Sequence, residues 1–140
     1  MATLRDETLD IRSSGDVVRV RQTVRTRAAE LGFSLVDQTK LVTGASELAR
    51  NTLDHGGGGQ ARIETIREDS RKGIRITFED QGPGIPDTAL ALTDGYSSGG
   101  GLGLGLSGTR RLMSEFRIQS EVGKGTRVQV ARWPRFPRRS

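Results

Sequence analysis

The stretch Ile74-Arg75-Ile76-Thr77-Phe78-Glu79-Asp80-Gln81-Gly82-Pro83-Gly84-Ile85-Pro86 changes character halfway along. Ile74, Ile76 and Phe78 alternate with polar residues, the period of a strand with one buried face. Gln81 to Pro86 is then a run of turn formers. Asp80, at the end of the alternation, can point into a cavity and accept a hydrogen bond from an exocyclic amine such as that of adenine. Gly82 and Gly84 would let the backbone approach a flat ring with no Cβ in the way. Taken alone, the same residues also suit a plain Gly/Pro turn.

Working outward, Asp69-Ser70-Arg71-Lys72-Gly73 reads as a turn, and Ala61, Ile63 and Ile66 mark a strand before it. The short spacing predicts an antiparallel hairpin. Further upstream, Thr3 to Arg12 alternates weakly and reads as an opening strand. Val17, Val20, Val24, Ala28 and Leu31 recur every three or four residues, the period of an amphipathic helix stopped by Gly32. Ser34 and Asp37 resemble a capping pair for a second helix, whose apolar face is Leu41, Val42, Ala45, Leu48, Ala49 and Leu53. Gly56 to Gly59 end it. Downstream, the spacing predicts a short helix over 87–92, loop over 93–101, and a third main helix from Leu104 to Phe116. Strands over 117–122 and 126–133 then flank the tight turn Gly123-Lys124-Gly125. The sum is an α+β fold: a two-layer α/β sandwich with a mixed, mainly antiparallel sheet and helices on one face. Residues 1–133 are expected to form a single domain, with residues 134–140 a basic, disordered tail.

Composition narrows the chemistry. The chain of 140 residues has no cysteine and one histidine, His55, which excludes disulfides and any Cys- or His-rich metal site. No apolar run is long enough to cross a bilayer and Met1 to Asp10 lacks a signal-peptide core, so a cytoplasmic protein without membrane contact is expected. The net charge of +5 suggests nucleic acid, yet Arg132, Arg135, Arg138 and Arg139 sit together near the end, among Pro134 and Pro137. Setting them aside leaves 18 basic residues against 17 acidic. A solvated end fits this better than a binding stripe, and no DNA partner is expected.

Two further pieces carry chemistry. Glu47 and Asn51 stand four apart on the second helix and so on one side of it. A carboxylate can take a proton or polarise a hydroxyl, and an amide oxygen is a hard ligand suited to magnesium. Such pairs are also common on exposed helix faces. Ser97 to Leu106, with Gly99, Gly100, Gly101, Gly103 and Gly105, is a loop leading into a helix, and offers free N–H groups to phosphates and a hinged lid. Gly103, Gly105 and Gly108 match the dinucleotide fingerprint in spacing, but no strand precedes them, so the match is accidental. Gly123-Lys124 lacks the hydroxyl residue that a Walker A loop requires next.

Taken together, Glu47 to Asn51, Glu79 to Pro86 and Ser97 to Leu106 resemble the N, G1 and G2 boxes of the GHKL ATPase superfamily, whose nucleotide pocket is called the Bergerat fold. Within it the chain is most similar to small bacterial Ser/Thr kinases that regulate sigma factors, of the RsbT type found in the stressosome. The resemblance spans roughly residues 7–133. It is carried also by Glu30-Leu31-Gly32-Phe33, Ser46 to Asn51 and Gly108 to Phe116. Ser107 departs from it, standing where proline is expected.

The resemblance implies ATP and Mg2+ as cofactors. It implies that Asn51 holds magnesium, that Glu47 is the catalytic base toward a hydroxyl, and that Asp80 recognises the adenine amino group with support from Thr126. It further implies that Gly82 and Gly84 line the base pocket and Gly101, Gly103 and Gly105 the phosphates. His55 follows by one turn, as a pocket residue or a helix end. The implied partners are STAS-domain antagonist or scaffold proteins, phosphorylated on Ser or Thr, and a downstream phosphatase or sigma-pathway regulator reached by partner switching in a stress response. Two alternatives stay open. One is an anti-sigma factor that sequesters a sigma factor and phosphorylates its antagonist; the other is a nucleotide-gated binder with negligible phosphotransfer.

Overall fold

The computed structural model describes residues 1–92 and 105–134, with the side chains of residues 89 and 90 left aside. Nine elements follow one another: β1 (Ala2–Ile11), α1 (Ser14–Glu30), α2 (Leu35–Asp54), β2 (Gly59–Glu68), β3 (Arg71–Asp80), α3 (Thr88–Ala91), α4 (Gly105–Arg111), β4 (Glu115–Glu121) and β5 (Gly125–Arg132). The strands form one sheet in the order β1-β2-β3-β5-β4. All four pairings are antiparallel, so the expected mixture of directions is absent among the described residues.

Helix ends follow from local chemistry. Ser13 is extended and its hydroxyl accepts from the Asp16 amide, capping α1. Gly32, at φ 80°, closes that helix: its amide donates to Ala29 O and the Phe33 amide to Ala28 O, satisfying two free carbonyls. The Ser34 hydroxyl caps α2 by accepting from the Asp37 amide at 3.1 Å.

The register then decides which side chains meet. Ile63, Ile76 and Val130 lie in one cross-strand row, and Ala61, Phe78 and Val128 in the next. These face the buried stripes of α1 (Val17, Val20, Val24, Ala28) and α2 (Leu41, Ala45, Leu48, Ala49). Each such buried aliphatic or aromatic side chain contributes about 1.5–3 kcal/mol. Ile66 has the other parity and lies on the opposite face with Glu64. There Arg75 donates to both Glu64 oxygens, at 2.9 and 3.0 Å, and Thr3 adds a third hydrogen bond at 3.0 Å. The Arg75 hydrogen bonds outweigh desolvation and hold the Glu64 carboxyl below the usual range.

Two expectations are corrected. The helix expected to reach Phe116 ends at Arg111, because Phe116 and Ile118 alternate into β4, opposite Val130 and Val128. The 310-like bonds Leu112 N to Thr109 O and Met113 N to Arg110 O make the turn between them. Arg132, counted with the solvated end, is instead buried in β5 and donates to Asp37 on α2. The remainder of the expected tail, residues 135–140, lies outside the described residues. No helix among those described is long and apolar enough to cross a membrane.

Candidate functional site

The C-terminal half of α2 passes over the ends of β3 and β5, and between them lies a cavity of about 280 Å3. Its floor is apolar, with Phe78 and Val128 from neighbouring strands and Leu48 from the helix. Glu47, Asn51 and His55 follow one another along one wall at intervals of four residues. Neither the Glu47 nor the Asn51 side chain hydrogen-bonds within the described protein, so both are available to a ligand. His55 is the exposed C-cap of α2, with its backbone amide on Asn51 O at 2.9 Å. It is a helix end and a wall of the cavity at once.

Asp80 and Thr126 are cross-strand partners and both face this cavity. Oδ1 of Asp80 accepts from the Gly82 amide at 2.9 Å and from the Thr126 amide at 3.3 Å. Those two bonds fix the carboxylate and leave Oδ2 free of partners among the described residues. Gly56 makes the close approach possible, since a Cβ there would lie 2.4 Å from Asp80 Cγ.

The turn after Asp80 forms the opposite wall through Pro83, Gly84, Ile85 and Pro86. It is tied down at two points: Gly123 N donates to Pro83 O at 2.9 Å, and Ile85 N to Ser120 Oγ at 2.6 Å. Gly84 lines the cavity, but Gly82 is not among the lining residues. Gly82 packs against Gly56 instead, where a Cβ would meet Gly56 Cα at 2.7 Å. Gly105 lines the far side at φ 70° and opens α4, its carbonyl accepting from Thr109 Oγ1 at 2.9 Å. Gly101 and Gly103 lie outside the described residues.

So Glu47, Asn51, His55, Asp80, Gly84, Gly105 and Thr126 come together from distant parts of the chain. The sequence reading missed Ser120, Gly56 and the apolar floor. Ser120 shares the alternation of Phe116 and Ile118, but only its pairing with Thr126 in the folded sheet marks it as part of this site.

A purine-sized cavity with an apolar floor, a fixed carboxylate at one end and the unengaged Glu47 and Asn51 side chains along its helical wall is built for a nucleotide. Residues 36–137 match the family described as histidine kinase-, DNA gyrase B-, and HSP90-like ATPase. The chain is 48% identical over 125 residues to the serine/threonine-protein kinase RsbT of Bacillus subtilis (strain 168), covering 89% of this chain and 94% of that one. It is 32% identical over 117 residues to an anti-sigma F factor of Geobacillus kaustophilus (strain HTA426), covering 79% of each. A crystal structure of the RsbU and RsbW domains of a Mycobacterium tuberculosis protein has the same fold, with a TM-score of 0.64 at 24% identity. That match covers 99% of this chain and 34% of the other. The protein therefore belongs to the histidine kinase-, DNA gyrase B-, and HSP90-like ATPase family, in the branch that holds the serine/threonine-protein kinase RsbT and the anti-sigma F factors.

Proposed function

We propose that this ATP-binding kinase phosphorylates a Ser or Thr on a STAS-domain partner and changes partners as a result. The observation that carries the reading is the cavity itself, with Asp80 and Thr126 at the base end and Glu47 with Asn51 along the α2 wall. Adenine lies over Phe78 and Val128, its amino group toward Asp80. Glu47 takes the proton of the incoming hydroxyl, whose oxygen bonds to the γ-phosphorus as the bond to ADP breaks. Gly84 lines the base, and Gly101, Gly103 and Gly105 line the phosphates. Magnesium fits this donor set: Asn51 and Glu47 offer unengaged hard oxygens one helical turn apart, and Asn51 would hold the ion. When bound, it neutralises phosphate charge. A cytoplasmic location accompanies use of ATP.

The test is a pull-down from the native host followed by incubation with labelled ATP and magnesium, comparing wild type with Glu47→Gln. Label on a small STAS protein, lost in the variant, is the expected result. Nucleotide binding without any transferred label would overturn the kinase reading and leave a nucleotide-gated binder. The similarity to anti-sigma F factors supports a second reading, sequestration of a sigma factor with phosphorylation of its antagonist. A sigma subunit as the main captured protein would favour it.

A further inference from the structure

Ser120 of β4 makes three contacts that together fix the polarity of a hydroxyl in the cavity. Its Oγ accepts from Ile85 N at 2.6 Å, donates to Gly125 O at 3.1 Å, and lies 2.8 Å from Thr126 Oγ1. A hydroxyl has one proton and two lone pairs. The Gly125 carbonyl can only accept, so it takes the Ser120 proton. The Ile85 amide can only donate, so it takes one lone pair. The remaining lone pair receives the proton of Thr126. With its proton turned toward Ser120, Thr126 presents only lone pairs to the cavity it lines. Beside it, the free Oδ2 of Asp80 is a second acceptor.

We infer that Ser120 is a specificity-determining positioning residue: by holding Thr126 as an acceptor, it makes the site select 6-aminopurine nucleotides over 6-oxopurine ones. An amino group satisfies the two acceptors, whereas a 6-oxo group turns a third acceptor toward them and offers no proton in its place. Without Ser120 the Thr126 hydroxyl is free to rotate and donate to a 6-oxo group. The inference rests on the nucleotide-binding reading of the cavity and adds to it a residue outside the lining.

The experiment is calorimetric titration of ADP and of IDP, each with magnesium, into wild type, Ser120→Ala and Ser120→Thr, with thermal melting as the check on folding. The expected result is a wild-type preference for ADP that falls about tenfold in Ser120→Ala and is retained in Ser120→Thr, which keeps the hydroxyl. An unchanged preference in Ser120→Ala overturns the inference. So does a parallel loss of both ligands, which would mean that Ser120 only anchors the loop at Ile85. Should Ser120→Ala fail to fold, Thr126→Val is expected to lose the same preference, and its retention overturns the inference. Wild type binding neither nucleotide would instead refute the nucleotide reading on which the inference stands.

Discussion

Arg132, on the last strand, donates to the carboxylate of Asp37, in the first turn of α2, at 2.6 Å across 95 residues of sequence. The same guanidinium donates to Leu112 O, at the end of the turn after α4. One side chain thus joins the sheet to α2 and to the turn that ends α4, two of the elements that border the cavity. Asp37 is 2% exposed, so removal of the cation takes away a charged hydrogen-bond partner where little water can replace it. Arg132→Met is expected to cost about 3–5 kcal/mol, read as a lower urea midpoint at constant slope. Arg132→Met with Asp37→Leu should recover part of the loss. An unshifted midpoint in the single variant would show that the pair does not hold these elements together.

Asp80→Asn separates the structural from the recognition duty of that residue. The amide oxygen can still accept from the Gly82 and Thr126 amides, so stability should change by about 1 kcal/mol or less. The second position becomes an NH2, which faces an adenine amino group donor to donor. Adenine-nucleotide affinity is therefore expected to fall by about tenfold or more. Titration of ADP checks this beside a melting curve. Intact affinity would mean that the base lies elsewhere.

Glu64 gives the fold a defined response to acid. Its carboxyl is held below the usual range by the Arg75 hydrogen bonds, while the unfolded chain keeps a value of about 4.3. Below both values the carboxyl is protonated in either state and contributes nothing through its charge. Its stabilisation is complete above the unfolded value and is lost as pH falls through the folded one. Glu64→Gln should therefore be less stable than wild type at pH 7, by about 1.5–3 kcal/mol for the loss of hydrogen bonds to a charged group. The two proteins should converge in urea titrations as pH drops below about 4. A gap that persists at low pH would assign the effect to packing.

Periodicity made most of this fold legible before any coordinates. Ile74, Ile76 and Phe78 announce β3, and the Val17 to Ala28 spacing announces α1, because one buried face imposes its period on the chain. The same logic misled at Phe116. Leu112, Met113 and Phe116 satisfy a helical spacing, and only the pairing of Phe116 with Val130 shows that the chain has already turned into a strand. Asp37 was legible as a capping residue, but its bond to Arg132 joins residues that only the folded sheet brings together. Glu47 and Asn51 were legible as a pair on one helix side, and Asp80 as a strand end. Ser120 was not, because a single serine in an alternating strand carries no signal until its cross-strand partners are known.

Gly84 and Gly57 offer a controlled comparison of strain with steric overlap. Both have left-handed backbone, at φ 79° and 75°. A Cβ on Gly57 meets nothing within 4 Å, whereas one on Gly84 would lie 2.3 Å from Glu121 O, a backbone atom that cannot swing away. Alanine at Gly57 therefore adds only the left-handed penalty of about 1–2 kcal/mol. Alanine at Gly84 adds the same penalty and must also push its loop away from the β4–β5 turn. That loop is held there by Gly123 N on Pro83 O and Ile85 N on Ser120 Oγ, and it forms a wall of the cavity. Gly84→Ala is thus expected to lose more stability than Gly57→Ala and to weaken ADP binding, while Gly57→Ala leaves ADP affinity unchanged. Paired urea unfolding and ADP titrations decide it. Equal losses in the two variants, with ADP affinity intact in both, would show that the loop yields without disturbing the wall.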